Sequence, residues 1–288
     1  MPKPSKTSIS LRRRLSNLLA LGGITLATAI VVVPLILIIG TVAYHGIAGL
    51  NWAFFTNMPK PPGETGGGMA NALVGSGMIL MIASAIGIPM GIGTGIFLAE
   101  YGRNAYGDVV RFTADVLNGV PSIVIGLTAW ALVVVAQGHF SAFSGGIALG
   151  IMMVPTVSRT TEEVLLMVPQ SVREAALGLG IPQWRTTLSV VVRTAMSGIV
   201  TGIMLAFARI AGETAPLMFT AFGNQFWNTS FKEPVAAVPL QIYVYAISPF
   251  DEWHRLAWTG AFVLIILIAG AMILFRFATS RGVMRETT

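Results

Sequence analysis

The stretch VPQSVREAALGLGIPQWRTTLSVVVRTAMSGIVTGIMLAFARIAGETAPL, Val168 to Leu217, decides how the rest of the chain is read. It opens as a polar, proline-marked segment and becomes a long apolar run that carries two charges, Arg209 and Glu213. That order predicts a docking surface at a membrane face, joined covalently to a helix that takes charge into the bilayer. An arginine at the centre of a membrane helix costs about 2.5–3.5 kcal/mol on insertion scales, which speaks against a lone charge facing lipid. On a helix, Arg209 and Glu213 stand four apart and share a face. Two roles stay open on the residues alone. One is a pore-lining arginine that attracts an anion, with Glu213 restraining it so that the anion can leave again, as conduction requires. The other is a structural ion pair buried between helices.

Composition places this stretch in a membrane protein. Mean hydropathy is +0.76; 54% of the 288 residues are hydrophobic and only 10% charged, against about a quarter charged in a soluble domain. The net charge of +6 does not indicate nucleic acid, because the basic residues sit between apolar runs, where they orient helices. Cysteine is absent, which removes disulfides, thiolate catalysis and cysteine-bound metal. His45, His139 and His254 have no metal-ligand spacing and read as loop or interfacial residues.

Outward from the opening stretch, the apolar runs predict six spans: 18–44, about 70–99, 112–136, 142–157, 196–221 and 256–277. The first follows a basic segment, 1–17, and is too long for the roughly 7–15-residue apolar region of a cleaved signal peptide, so an uncleaved span is expected. The 45–69 loop contains MPKPPGETGGGM, Met58–Met69, whose prolines and glycines stop a helix; its triple glycine and Asn71 are read only as the start of the second span. Gly87, Gly91 and Gly95 form a small-residue stripe that lets a neighbouring helix approach closely. The third span carries Asp115, Asn118 and a break at Gly119–Pro121, and Pro121-Ser122 either shapes a pore wall or kinks a helix. Asn224 to Trp253 reads as part helix and part loop. The expected division is a basic N-terminus (1–17), a first helix (18–44), an external loop (45–69), a five-helix core (70–279) with a long loop at 158–195, and a tail (280–288).

Alternation with the N-terminus inside puts Lys3, Lys6, Arg12, Arg13, Arg14, Arg103, Arg111, Arg159, Arg173, Arg185, Arg193, Arg276, Arg281 and Arg285 on one side. Only Lys60, Lys232 and Arg255 fall on the other. The positive-inside rule then makes both termini and the 158–195 loop cytoplasmic. No lysine follows a glycine, so there is no phosphate-cradling Walker A loop. The chain also lacks a G-x-S-x-G elbow and an H-E-x-x-H pair. Nothing reads as a hydrolase, and any ATPase must be a separate chain.

Within the loop, Glu174, Ala175 and Ala176 are followed by Gly180. Small alanines permit close helix contact, Gly180 permits a sharp turn, and Glu174 offers a carboxylate. This resembles the EAA loop of bacterial ABC importer permeases, which docks on the ATPase subunit. The family pattern closes on an apolar residue and proline, whereas here Val192 is followed by Arg193. RIAGETAPL (Arg209–Leu217), PPGETGGGMANALVGS (Pro61–Ser76), LNGVPSIVIGL (Leu117–Leu127) and MMVPTVSRTTEEVLLMVPQSVREAALGLG (Met152–Gly180) together resemble the PstA-type permease subunits of phosphate-specific ABC transporters. The likeness runs from about residue 50 to the end.

That resemblance implies an all-α integral membrane protein of six transmembrane helices with the MetI-like type I ABC importer permease fold, in a bacterial cytoplasmic membrane. It implies a non-catalytic subunit that moves inorganic phosphate beside a PstC-type permease, a PstB-type ATPase homodimer and a periplasmic or extracellular phosphate-binding protein. No cofactor is expected in this chain, since ATP and Mg would be bound by the partner ATPase; membrane lipid is an expected contact and nucleic acid is not. Glu174, Ala175, Ala176 and Gly180 are implied to couple to the ATPase, and Arg209 with Glu213 to lie on the translocation pathway. Three alternatives stay open. One is an ABC permease for another oxyanion or phosphonate, and another an ATP-independent channel or secondary transporter, for which no inverted repeat is visible. The third is a membrane-embedded scaffold or sensor without transport, in which Arg209 could be neutralised without affecting uptake.

Overall fold

A computed structural model describes residues 11–284, with side chains described over 13–277. Lys3, Lys6 and Arg285 lie outside the described residues, as do the side chains of Arg12 and Arg281. The chain order is α1 (Leu11–Ala48), α2 (Trp52–Thr56) and α3 (Ala70–Glu100), then α4 (Ala105–Gly119) and α5 (Ser122–Gln137). α6 (Ala142–Leu166), α7 (Gln170–Gly178) and α8 (Gln183–Ala211) follow, with α9 (Ala215–Thr220), α10 (Val238–Ala246) and α11 (Asp251–Met284) completing it. Among the described residues five helices are long and apolar enough to span a membrane. A sixth span appears when α4 and α5 are taken together, bent by 105°. The protein is an all-α, multi-pass membrane protein.

The core is built on the pairing of α3 with α6, which run parallel and touch along their length. A Cβ added at Gly87 would stand 2.7 Å from Met153 Cβ, one at Gly91 2.6 Å from Val157 Cβ, and one at Gly95 2.6 Å from Thr161 Cβ. No side chain fits there, so the stripe sets the distance between the backbones. Met153 and Val157 are fully buried in the seam. α8 packs antiparallel on an adjoining face of α6, with Gly198 against Val164 and Gly202 against Thr160. Ile79, Leu149, Met153, Val157, Ile210 and Leu217 form the centre of the main apolar cluster.

α1 is peripheral. Its residues from Arg13 to Thr41 are all exposed, and contact begins only near its end, where His45 stacks on Trp258 and Thr259 donates to the Gly46 carbonyl. α11 carries α1, while α10 joins α11 to the core, with Tyr245 stacked on Trp253. The loop before α3 is ordered by contacts rather than left as a spacer. Asn51 caps α2 by accepting from Phe54 N at 2.8 Å, Phe54 is fully buried, and the Gly68 and Met69 amides donate to the Met58 and Phe54 carbonyls. The triple glycine thus closes the loop onto α2, beyond merely starting a helix.

The α4–α5 break is held from both sides. Pro121 cannot continue a helix, since it lacks an amide hydrogen and its ring obstructs the preceding turn. Asn118, just before the break, accepts from Thr156 on α6 at 3.0 Å, and Gly126, just after it, lies against Pro216 of α9. Lower on α4, Arg111 donates through Nε to Glu162 at 2.6 Å and through its other nitrogens to Asp108 and the Gly102 and Leu98 carbonyls. Glu162, whose side chain is 3% exposed, also accepts from Arg159 at 2.7 Å, and Arg159 reaches Asp115 at 3.0 Å. One buried carboxylate therefore joins α4 to α6 through two guanidiniums.

These contacts move several expected boundaries. α6 continues to Leu166 rather than ending near Val157, because the charges that mark its polar half, Arg159 and Glu162, are neutralised in place. α8 starts at Gln183 rather than Met196, with Arg185 and Arg193 exposed along it. A wide π turn at Thr187–Val191 carries the chain straight through Val192 and Arg193. The expected 158–195 loop contracts to the segment between Leu166 and Gln183, itself half helical. α8 also stops at Ala211 rather than running to 221.

Two measurements test this account. Gly91→Leu should lower stability by about 1–3 kcal/mol or more, the cost of overpacking, while Gly93→Leu on the open face of the same helix should be nearly neutral; unfolding in detergent checks both. Removing the shared carboxylate with Glu162→Leu should cost about 3 kcal/mol, near the low end for breaking a buried pair, because both arginines stay partly exposed. Glu162→Gln should cost less in the same assay.

Candidate functional site

The residues singled out from sequence fall in two places. Glu174, Ala175, Ala176 and Gly180 lie together at the end of the molecule where α3 and α6 finish. Pro169 ends the chain's descent from α6 and starts α7, whose only fully buried residue is Ala176. Glu174 and Ala175 are exposed. Gly180 has φ +78, a left-handed conformation that glycine adopts without Cβ strain. Its amide donates to the Leu177 carbonyl, and the Ile181 amide reaches back to Ala176, the paired closure of a Schellman turn. The chain is thereby reversed into α8 within three residues.

This hairpin presents Leu177, Leu179 (81% exposed) and Trp184 outward beside Glu174. Exposed large apolar groups grouped around a carboxylate, beyond the apolar part of the spans, form a surface suited to another protein. On its inner side the hairpin borders an open cleft of about 470 Å³ lined by Glu100, Arg103, Gln170, Arg173, Gln183 and Thr187, among others. Arg173 crosses from the hairpin to Glu100 at 2.9 Å, both side chains being largely buried. Sequence reading missed this pair, as it missed Arg111–Glu162, because the partners are 73 and 51 residues apart. The i,i+3 spacings of Asp108 with Arg111 and of Arg159 with Glu162 were the local signals available.

Arg209 and Glu213 form the second place, at the far end of α8, about 39 Å from Gln183 at 1.5 Å per residue. The expected shared helical face does not exist. α8 ends at Ala211, Gly212 caps it, and Glu213 and Thr214 lie in the gap before α9. Pro216 accounts for the break, because its ring would strike the carbonyl four residues earlier, at Gly212, in a continuous helix. Among the described residues neither the Arg209 guanidinium nor the Glu213 carboxylate has a hydrogen-bond or ion-pair partner. Arg209 is exposed, whereas its neighbours Ile210 and Ala211 are buried in the core. The cation thus points away from this chain's own packing, at a helix C-terminus whose dipole favours it. Pro216 and Leu217, just past the gap, are buried against α5 and the core, which fixes where the gap sits. Among the described residues no three His, Asp or Glu side chains gather in a metal-holding group.

Comparison with known proteins matches this arrangement to one family. Residues 91–281 match the model for the binding-protein-dependent transport system inner membrane component. The phosphate transport system permease protein PstA of Yersinia pestis is 48% identical over 243 residues, covering 84% of this chain and 82% of that protein. Its counterpart in Haemophilus influenzae is 43% identical over 267 residues, 91% of this chain and 94% of the relative. Among solved structures, an inward-facing MetNI methionine ABC transporter has the same fold, with a TM-score of 0.57 at 16% identity over 76% of this chain and 97% of that one. The chain belongs to the binding-protein-dependent transport system inner membrane component family, alongside the PstA permease proteins.

Proposed function

We propose that this chain is a non-catalytic permease subunit of an ATP-driven importer that carries inorganic phosphate across the bacterial cytoplasmic membrane. The observation that carries the reading is Arg209, an exposed, unpaired guanidinium at a helix break within a membrane-spanning bundle. A charge there is tolerated when it faces a water-filled path or another subunit, and its sign suits an oxyanion. Kinship with the PstA proteins, which are named for phosphate transport, supports phosphate as that anion. Glu213, one residue past the cap, limits how tightly the anion is held.

In this reading the termini and the hairpin around α7 are cytoplasmic. A PstB-type ATPase homodimer, which binds ATP and Mg, seats the hairpin through Glu174 and the apolar groups beside it, with Ala175 allowing close contact, Ala176 packing α7 inward on its own chain and Gly180 setting the turn. A PstC-type permease covers the exposed faces of α8 and α5, and an external phosphate-binding protein delivers the cargo. Closure of the ATPase pair displaces the hairpin, the α3–α6 unit moves with it, and the gap between α8 and α9 is opened alternately to each side. An autonomous channel would have no use for the exposed hairpin, which weighs against that class.

Labelled-phosphate uptake by the reconstituted complex tests the reading. Arg209→Gln should reduce uptake roughly ten-fold or more, the scale of losing one charged hydrogen bond of about 1.5–3 kcal/mol, while assembly and ATP hydrolysis persist. Loss of assembly would instead make Arg209 a structural residue, and transport of another oxyanion but not phosphate would overturn the cargo. Gly180→Ala forces a side chain into the left-handed region at about 1–2 kcal/mol and should reduce the amount of ATPase that co-purifies; unaltered co-purification would detach the hairpin from docking.

A further inference from the structure

Adjacent residues of α7 face opposite ways. Glu174 is exposed on the outer surface, whereas the Arg173 side chain is only 12% exposed and its donors are directed inward. Nε and Nη2 of Arg173 both donate to Glu100 Oε1, at 3.1 and 2.9 Å. Nη2 also donates to the Leu165 carbonyl at 2.8 Å and Nη1 to the Val168 carbonyl. One guanidinium therefore grips the last residue of α3 and the end of α6 together. Carbonyls at a helix C-terminus lack intrahelical partners, and a cation is favoured there, so both attachments are chemically suited to arginine.

The apolar contact of α7 is slight and shared among several elements. Ala176 is its only buried residue, and Val172 packs beside a cluster to which α3 gives Ala99, α6 Leu165, the loop Val168 and α8 Val191. Among the described residues, Arg173–Glu100 is the only hydrogen-bonded or ionic link between α7 and α3. Since α3 and α6 are locked by the glycine seam, a displacement applied to α7 and transmitted through Arg173 moves both spans at once.

We propose that the Arg173–Glu100 pair is the joint through which movement of the docking hairpin reaches the α3–α6 unit. Both are positioning residues for ATP-coupled transport. Neither touches ATP or cargo. The proposal rests on the transport reading above and adds the route of coupling to it.

The test uses the complete complex in proteoliposomes, with phosphate uptake and ATP hydrolysis measured on the same vesicles and co-purified ATPase quantified. The variants are Glu100→Gln and Glu100→Ala, which leave the outer surface of the hairpin unaltered. The expected result is wild-type co-purification and continued hydrolysis, with phosphate carried per ATP reduced roughly ten-fold, within the usual range of coupling between sites. Glu100→Asp, which retains the charge, should recover part of that ratio. An unchanged ratio in a variant that assembles would overturn the joint, as would a parallel fall of uptake and hydrolysis, the mark of a merely structural role. If Glu100→Ala does not assemble, the isosteric Glu100→Gln decides. A wild-type complex without ATP-dependent uptake would take down the transport reading itself, a result distinguishable from failure of the joint.

Discussion

The backbone-to-backbone approach of α3 and α6 is the contact on which the rest depends. Lipid tails are as apolar as leucine, so burying leucine between two membrane helices gains little over leaving it in lipid. What remains is dispersion, which falls off steeply with distance. A helix pair earns stability in this solvent only by coming close, and Gly87, Gly91 and Gly95 remove the side chains that would prevent it. The consequence is mechanical as well as energetic. Interdigitated surfaces with no free volume do not slide, so α3 and α6 behave as one body, with α8 set against its flank and α1 left outside.

A rigid pair of spans then makes the placement of charge intelligible. Glu100, Arg111, Arg159, Glu162 and Arg173 all lie where α3 and α6 end, and all are paired. Desolvating these groups is costly, and an ion pair recovers the cost only when its remaining donors and acceptors are also satisfied. Arg111 and Arg173 meet that condition in the same way, each adding backbone carbonyls to a carboxylate. Such clusters add less to net stability than to geometry. They fix α4 and α7 at defined angles on the rigid pair, where apolar contact alone would allow several.

How much of this was legible beforehand depends on the range of the interaction. The number of spans, the glycine stripe and the break at Pro121 are consequences of local chemistry, and the apolar runs, spacing and ring geometry displayed them. The ends of the spans were not legible, because hydropathy marks where a helix is apolar rather than where it stops. Arg159 and Glu162 looked like the start of a loop, yet they sit within α6 because Arg111 and Asp115, some 44 to 51 residues away, neutralise them. Arg209 and Glu213 show the reverse failure. Their spacing suits a helical pair, but Pro216, seven residues past Arg209, decides the backbone there and separates them.

The separation changes what the charges can be. A closed Arg209–Glu213 pair would be electrically quiet and self-sufficient, and the chain could bury it without help. As it stands, Arg209 lies beside buried Ile210 and Ala211 on a face that this chain does not cover, and lipid would be a poor medium for it. The same face of α8 includes exposed Leu205, about one turn before Arg209, so apolar and charged groups adjoin on one surface. A surface that is neither uniformly apolar nor internally paired is unfinished in a bilayer. Belonging to a family of transport-system membrane components, the chain can leave it so: in the proposed assembly another subunit supplies the wall opposite Arg209, and the space between them is where a charge can be both accessible and shielded from lipid.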